Sequence, residues 1–171
     1  MQTIPIYDKV IAFKDDNPYY VANWISLCVN EIAKQNLNIK YIVRALGSSE
    51  IEAKSTKPLH KLGLDLAKKL NAEFIPELIY KSRLTTPLHT IPKAIDRKME
   101  LNEAYCVRQI PNKVLSGNIL FIDDVTTSGA TANVIMNKIL AIYPKLIPYQ
   151  FAIAKTKRES DANSLINIIN F

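Results

Sequence analysis

The chain has 171 residues, with 22 Lys and Arg against 16 Asp and Glu for a formal net charge of +6, and 48% of its positions are hydrophobic. That apolar complement excludes a disordered chain, and the length fits one domain over residues 1–171. The longest apolar run, Ile139 to Tyr143, is too short for a membrane span, and Met1-Gln2-Thr3-Ile4-Pro5 has neither a basic nor an apolar leader segment. The expected compartment is therefore the cytoplasm, with no membrane partner. The positive charge suits nucleic acid, an acidic membrane surface or a phosphorylated small molecule and does not choose among them.

The first periodic segment runs Val21, Trp24, Ile25, Cys28, Val29, Ile32, Ala33, the three-four spacing of one helical stripe behind a Pro18 suited to a helix start. Lys40-Tyr41-Ile42-Val43 reads as a buried strand, and Ala45-Leu46-Gly47-Ser48-Ser49 as the turn leaving it. A second helix is predicted after a cap at Ser55 or Thr56, with Pro58 in its first turn and Leu59, Leu62, Gly63, Leu66, Ala67 and Leu70 along one face. His60, beside that stripe, is expected at the surface. Glu73 to Tyr80 is the companion strand.

Lys81 to Lys98 holds Pro87 and Pro92 and shows no clean period, so it reads as a long loop with at most a helical turn near Ala94. The loop carries Lys81, Arg83, Lys93, Arg97 and Lys98 against the lone acid Asp96. Glu103 to Val107 is expected as a returning strand, Ser116-Gly117-Asn118 as a turn and Ile119 to Ile122 as a strand. Ala132, Ile135, Met136, Ile139, Leu140 and Tyr143 form a third helical stripe stopped by Pro144, and Gln150 to Ala154 is the last strand. Cys28 and Cys106 have no second Cys or His at ligand spacing, which excludes a zinc ribbon and leaves two thiols expected to be buried and free. Strands alternating with helices predict an α/β fold: a mostly parallel central sheet flanked by helices on both faces, with a long flexible loop.

The chemistry is concentrated in Ile119-Leu120-Phe121-Ile122-Asp123-Asp124-Val125-Thr126-Thr127-Ser128-Gly129-Ala130-Thr131. A buried strand that ends in two adjacent carboxylates presents them at the carboxyl edge of the sheet, where they suit a cation or sugar hydroxyls. The small hydroxylated turn behind them offers backbone N–H groups to a phosphate at a helix N-terminus, and Gly129 permits close approach. A strand end followed by a helix cap would use similar residues, but a cap needs neither two acids nor so many hydroxyls. No Gly-x-x-x-x-Gly-Lys-Ser/Thr or Gly-x-Gly-x-x-Gly occurs, so the chain carries neither the P-loop nor the dinucleotide fingerprint.

Asp123 to Thr131, behind four apolar residues, resembles the phosphoribosyl pyrophosphate (PRPP) motif of type I phosphoribosyltransferases, a Rossmann-like fold. The resemblance implies that Asp123, Asp124, Val125, Thr126, Thr127, Ser128, Gly129, Ala130 and Thr131 bind PRPP, with the two acids on the ribose hydroxyls and Thr126 to Thr131 around the 5-phosphate. It implies Mg²⁺ carried mainly by substrate oxygens and met by Asp123 and Asp124, directly or through water. It assigns pyrophosphate to Arg44, Ala45, Leu46 and Gly47 together with Lys81 and Arg83, and it gives Arg83, on a basic lid, a catalytic role beside Asp123 and Asp124. The order of elements from Tyr19 to Lys155 agrees with the family core. The segments Lys81 to Pro87, Asp96-Arg97-Lys98 and Asn102 to Val107 are most similar to ComF-like members, although the four-cysteine zinc module of those proteins is missing.

By that resemblance the chain transfers a phosphoribosyl group from PRPP to an unidentified acceptor. The alternative is a PRPP-binding regulatory or nucleic-acid-associated protein without turnover; nucleic acid is not the favoured partner, and a homodimer is compatible. The acceptor hood is minimal, limited to Met1 to about Pro18 and Thr156 to Phe171. Purine-salvage relatives carry a carboxylate where this chain has Thr127, and a threonine hydroxyl cannot act as a base near neutral pH, so efficient use of 6-oxopurines is not expected. His89 is the nearest residue with a suitable ordinary pKa, and it belongs to the lid.

Overall fold

The computed structural model describes residues 6–126, 129–155 and 167–170. Helix α1 (Ile6–Lys14) has no counterpart in the periodicity reading; it has nine residues, and Val10 and Phe13 near its end are buried. Asn17 then caps α2 (Pro18–Lys34), its side chain accepting the Tyr19 N–H at 3.2 Å, and Val21, Cys28 and Ile32 of the expected stripe face inward. Strand β1 (Ile39–Arg44) follows. Helix α3 (Pro58–Leu70) starts directly after Lys57, which makes no side-chain capping bond, so neither Ser55 nor Thr56 is the cap. Pro58 stands at the first helical position, where its missing N–H has no partner to lose.

The strand expected over Glu73 to Tyr80 is divided. It becomes β2 (Glu73–Phe74), a 3₁₀ turn at Pro76–Leu78, and β3 (Ile79–Lys81), because Pro76 has no N–H with which to continue a ladder. The predicted loop to Lys98 is shorter than expected. Leu88–Thr90 forms a 3₁₀ turn, and α4 (Ala94–Ala104) takes the remainder together with the start of the expected Glu103 strand. Only Leu101 and Ala104 of α4 are buried, too thin a stripe to give a period. Strand β4 (Tyr105–Val107) pairs antiparallel with β3, apart from the main sheet.

Strand β5 (Gly117–Thr126), helix α5 (Ala130–Ile142), strand β6 (Leu146–Lys155) and strand β7 (Asn167–Asn170) complete the described elements. The sheet order is β2-β1-β5-β6-β7, with the first four strands parallel and β7 antiparallel on β6. The crossover β1-α3-β2 runs one way across the sheet and β5-α5-β6 the other. Right-handed crossovers of opposite direction place their helices on opposite faces. Thus α3, joined by α1 and α2, packs on β1, β2 and β5, while α5, joined by α4 and β4, packs on β5 and β6. Ile119 to Ile122 lie sealed between the layers with Ile42, Val43, Leu62, Leu66, Ile135, Ile139 and Phe151. Each such side chain contributes about 1.5–3 kcal/mol of burial.

His60 is buried, not at the surface. A Cβ on Gly63 would sit 2.5 Å from the Phe74 ring, so the glycine lets that ring lie directly on α3, and His60 meets its edge at a centroid separation of 4.9 Å. Burial first, and the Arg44 charge second, hold the His60 imidazole below its ordinary pKa. Cys28 is buried, and burial pushes its thiol up to about 12; Cys106 is half-buried, not fully enclosed, and both are free. Among the described residues no helix is long and apolar enough to cross a membrane.

Candidate active-site crevice

The sheet order reverses between β1 and β5, and the carboxyl ends of strands at such a point frame a crevice. β1 stops at Arg44 opposite Ile122, and the Ala45 N–H makes the last bond across, 2.8 Å to the Ile122 carbonyl. β5 continues on β6 alone to Thr126. Asp123 and Asp124 therefore lie within β5 and beyond the end of β1, a correction to the expectation that they terminate their strand.

Each acid caps the residue that follows it. Asp123 Oδ1 accepts the Asp124 N–H at 2.8 Å, and Asp124 Oδ1 accepts the Val125 N–H at 2.6 Å. Asp123 is buried, and burial first, then the neighbouring Asp124 charge, raise its pKa well above the carboxylate range. Lys14 of α1 opposes that shift from its ion pair with Asp124 Oδ2 at 3.1 Å. Lys14 is a site residue that sequence reasoning missed, because nothing in the order of residues brings it to β5.

Behind the acids, Thr127 and Ser128 lie outside the described residues, as does the side chain of His89. Thr126 is buried, and its hydroxyl receives Gln150 Nε2 at 3.4 Å, so it serves the floor of the site. Gly129, at φ 74, leads into α5 without a side-chain cap. Among the described residues no acceptor meets the first-turn N–H groups of Ala130 and Thr131, at the end of α5 where the helix dipole favours an anion.

The opposite wall differs from the sequence expectation. Arg44 is not a free cation for pyrophosphate: it is 1% exposed, and its guanidinium bonds Glu50 at 2.6 and 3.1 Å, the Ala45 carbonyl at 2.7 Å and the Lys54 carbonyl at 3.2 Å. Burial pushes the Glu50 carboxyl up, but the bond from Arg44 and the Lys54 and Gly47 N–H groups outweigh it and hold the carboxyl below its usual range. The N–H groups expected to meet pyrophosphate are also engaged. Ala45 donates to Ile122, Leu46 to the Tyr105 hydroxyl at 3.3 Å, and Gly47 to Glu50 Oε2 at 2.7 Å. The Tyr105 hydroxyl in turn donates to the Leu46 carbonyl at 2.8 Å. Among the described residues no acceptor meets the N–H of Ser48 or Ser49, so those two serines, not residues 44–47, present free donors on this loop. No cis peptide bond occurs among the described residues.

Lys81 is buried at the base of the loop and not on a solvated lid. Its Nζ donates to the Gly47 carbonyl at 2.7 Å and to Thr85 Oγ1 at 2.9 Å, 5.0 Å from the centre of the Tyr105 ring. Burial pulls its pKa down to about 8, against the opposing charges of Glu50 and Glu100. Arg83 is outside, bonded to Glu100 at 2.8 and 2.9 Å and to Glu103 at 3.0 Å. The Arg83 bond, with the Thr86 N–H, lowers Glu100 to about 2.

Two adjoining clefts share Lys14, Ala45, Leu46, Gly47, Asp123 and Asp124. The larger, about 430 Å³, extends to Ser48, Lys81, Thr85 and Thr131 and so brings the acids, the loop, the base of the basic segment and the start of α5 together. The smaller, about 180 Å³, extends to Phe13, Glu50, Lys57, Pro58 and Leu59. Arg83 lines neither cleft.

No family model and no curated protein sequence matches the chain. Solved structures do. Adenine phosphoribosyltransferase from Trypanosoma brucei, in complex with AMP, pyrophosphate and ribose-5-phosphate, is similar at a TM-score of 0.50 and 18% identity, over 83% of this chain and 55% of that one. The chain thus spans little more than half the length of that enzyme. A hypoxanthine-guanine phosphoribosyltransferase from Bacillus anthracis with HEPES in its active site matches 96% of this chain and 80% of its own at 12% identity and a TM-score of 0.48. The α/β sheet with helices on both faces is the fold of type I phosphoribosyltransferases.

Proposed function

We propose that residues 1–171 act as a single unit that binds Mg²⁺-PRPP in this crevice and transfers its phosphoribosyl group to an acceptor with release of pyrophosphate. The observation that carries the reading is the acid pair beyond the end of β1, standing in front of the uncapped first turn of α5. A sugar phosphate needs those two elements side by side. Asp123 and Asp124 hold the ribose hydroxyls, the first-turn N–H groups hold the 5-phosphate, and Ser48 and Lys81 face the leaving pyrophosphate across the larger cleft.

The donor set suits magnesium. It consists of two adjacent carboxylates, and no cluster of three or more metal-ligating side chains occurs among the described residues, as befits an ion that keeps waters and phosphate oxygens in its shell. Asp123 and Asp124 would hold the ion, and it would supply neutralisation of the departing charge. Burial and the neighbouring Asp124 charge both raise the Asp123 pKa, so a cation arriving at the pair relieves a repulsion already present in the crevice. The compartment in this reading is the cytoplasm, which suits two free thiols. The ComF-like assignment, a homodimer and the poor fit to 6-oxopurines belong to the same proposal.

Thermal shift and calorimetry with Mg²⁺-PRPP test it. Wild type gains stability by mass action, and Asp123→Asn with Asp124→Asn abolishes the gain; an unchanged gain in the double variant refutes the assignment. A second reading, PRPP binding without turnover, is favoured by the engagement of the Ala45, Leu46 and Gly47 N–H groups within the chain. Pyrophosphate release measured over hypoxanthine, guanine, xanthine, orotate, uracil and ammonia separates the two. Binding with no release for any acceptor favours the regulator.

A further inference from the structure

Whatever takes Asp124 has to contend with a group that the chain itself supplies. Lys14 occupies the last turn of α1 with its Nζ 3.1 Å from Asp124 Oδ2. Its position is built in. Phe13 beside it is buried in the core, and Asp16 just beyond, at a φ of 57, is paired with Lys61 of α3 at 2.7 Å. Held on both sides, Lys14 lies on the wall of both clefts. Among the described residues no other cation forms an ion pair with either acid of the pair. Arg44 is committed to Glu50, and Lys81 to Gly47 and Thr85. The Lys14 and Asp124 side chains keep 44% and 31% of their surface in water, and an ion pair so well hydrated is weak enough to exchange.

We propose that Lys14 is a resident counter-ion of Asp124: it neutralises the acid pair until a divalent cation or a vicinal diol takes its place, and α1 thereby sets how tightly the crevice holds its ligand. This rests on the acid pair being the ligand site, as in the reading above, and not on PRPP being the ligand. The role is that of a positioning residue, since Lys14 acts on the ligand through Asp124.

The test uses the full chain and Mn²⁺ alone as probe, with binding read by electron paramagnetic resonance. Lys14→Met keeps the aliphatic stem and drops the charge, and it should bind Mn²⁺ about fivefold more tightly than wild type, the order expected from releasing one exposed pair. In an Asp124→Asn background the same substitution should change nothing. Equal or weaker binding by Lys14→Met, a gain that persists with Asp124→Asn, or no Mn²⁺ binding by either chain overturns the proposal. If Mn²⁺ discriminates Lys14→Met while PRPP fails to bind wild type, the counter-ion role stands and the substrate reading falls.

Discussion

Arg44 and Arg83 both hold carboxylates through paired N–H bonds, and both stand on segments assigned to pyrophosphate from the sequence. One is enclosed at 1% exposure; the other keeps 44% of its side chain in water. The contrast teaches what each cation is free to do. Releasing Arg44 to a ligand would strand Glu50 as an unpaired buried charge, whereas Arg83 can trade Glu100 and Glu103 for an incoming anion with solvent to cover the exchange. The buried pair shapes the loop, and the exposed one is the movable cation.

Breaking the buried pair should have the largest effect. Glu50→Ala leaves Arg44 uncompensated and is expected to cost about 3–5 kcal/mol in chemical denaturation, while Arg44→Met with Glu50→Leu should recover most of that loss. Because Glu50 is held below its ordinary pKa, its contribution is present above an ordinary value of 4.5 and is lost as pH falls through the lowered one. A wild-type stability that stays flat down to that range would contradict the account.

Next in size is Tyr105→Phe, which removes the acceptor of the Leu46 N–H and the donor to its carbonyl at once. A loss of about 1–3 kcal/mol is expected, with faster amide exchange at Leu46 as the local readout.

On the other wall the sign reverses. Folding raises the Asp123 pKa above its ordinary 3.8, so wild type loses stability as pH rises from there toward the folded value, and an asparagine does not. Asp123→Asn should therefore raise Tm by about 2–4 °C near neutral pH, with the gain vanishing at strongly acid pH. A lower Tm at neutral pH would mean that the carboxylate is structural.

Arg83→Ala should leave Tm unchanged. If the lid acts in the transition state, kcat for pyrophosphate release falls about tenfold with little change in PRPP affinity. Equal losses in both would make Arg83 a plain binding residue.

The central layers were legible because α2, α3 and α5 each repeat an apolar period over enough residues to stand out, and β1 and β5 carry short apolar runs between turns. α1 escaped notice because it is short, and α4 because it buries only two side chains. Pro76 carried the signal that divided the Glu73 strand, in its missing N–H, whereas the burial of His60 beside Gly63 is a packing consequence visible only once Phe74 is placed. The acid pair could be found from its neighbours in sequence. The partners of Arg44, Lys81 and Lys14 could not, since they depend on how a loop folds back and where a distant helix ends.

The four residues by which β5 outruns β1 make an open strand edge inside the molecule. Open edges usually sit on the outside of a sheet, where they invite pairing with another chain. Among the described residues one outer edge strand, β2, has two residues, with Glu73 engaged by Lys113, and the other, β7, has four. The β5 edge is instead recessed behind Lys14 and the Ala45 to Ser49 turn, with its own carboxylates capping two of its N–H groups. The cleft there has room for a small polar molecule, and the recess keeps this edge off the outer surface, where strand-to-strand pairing begins.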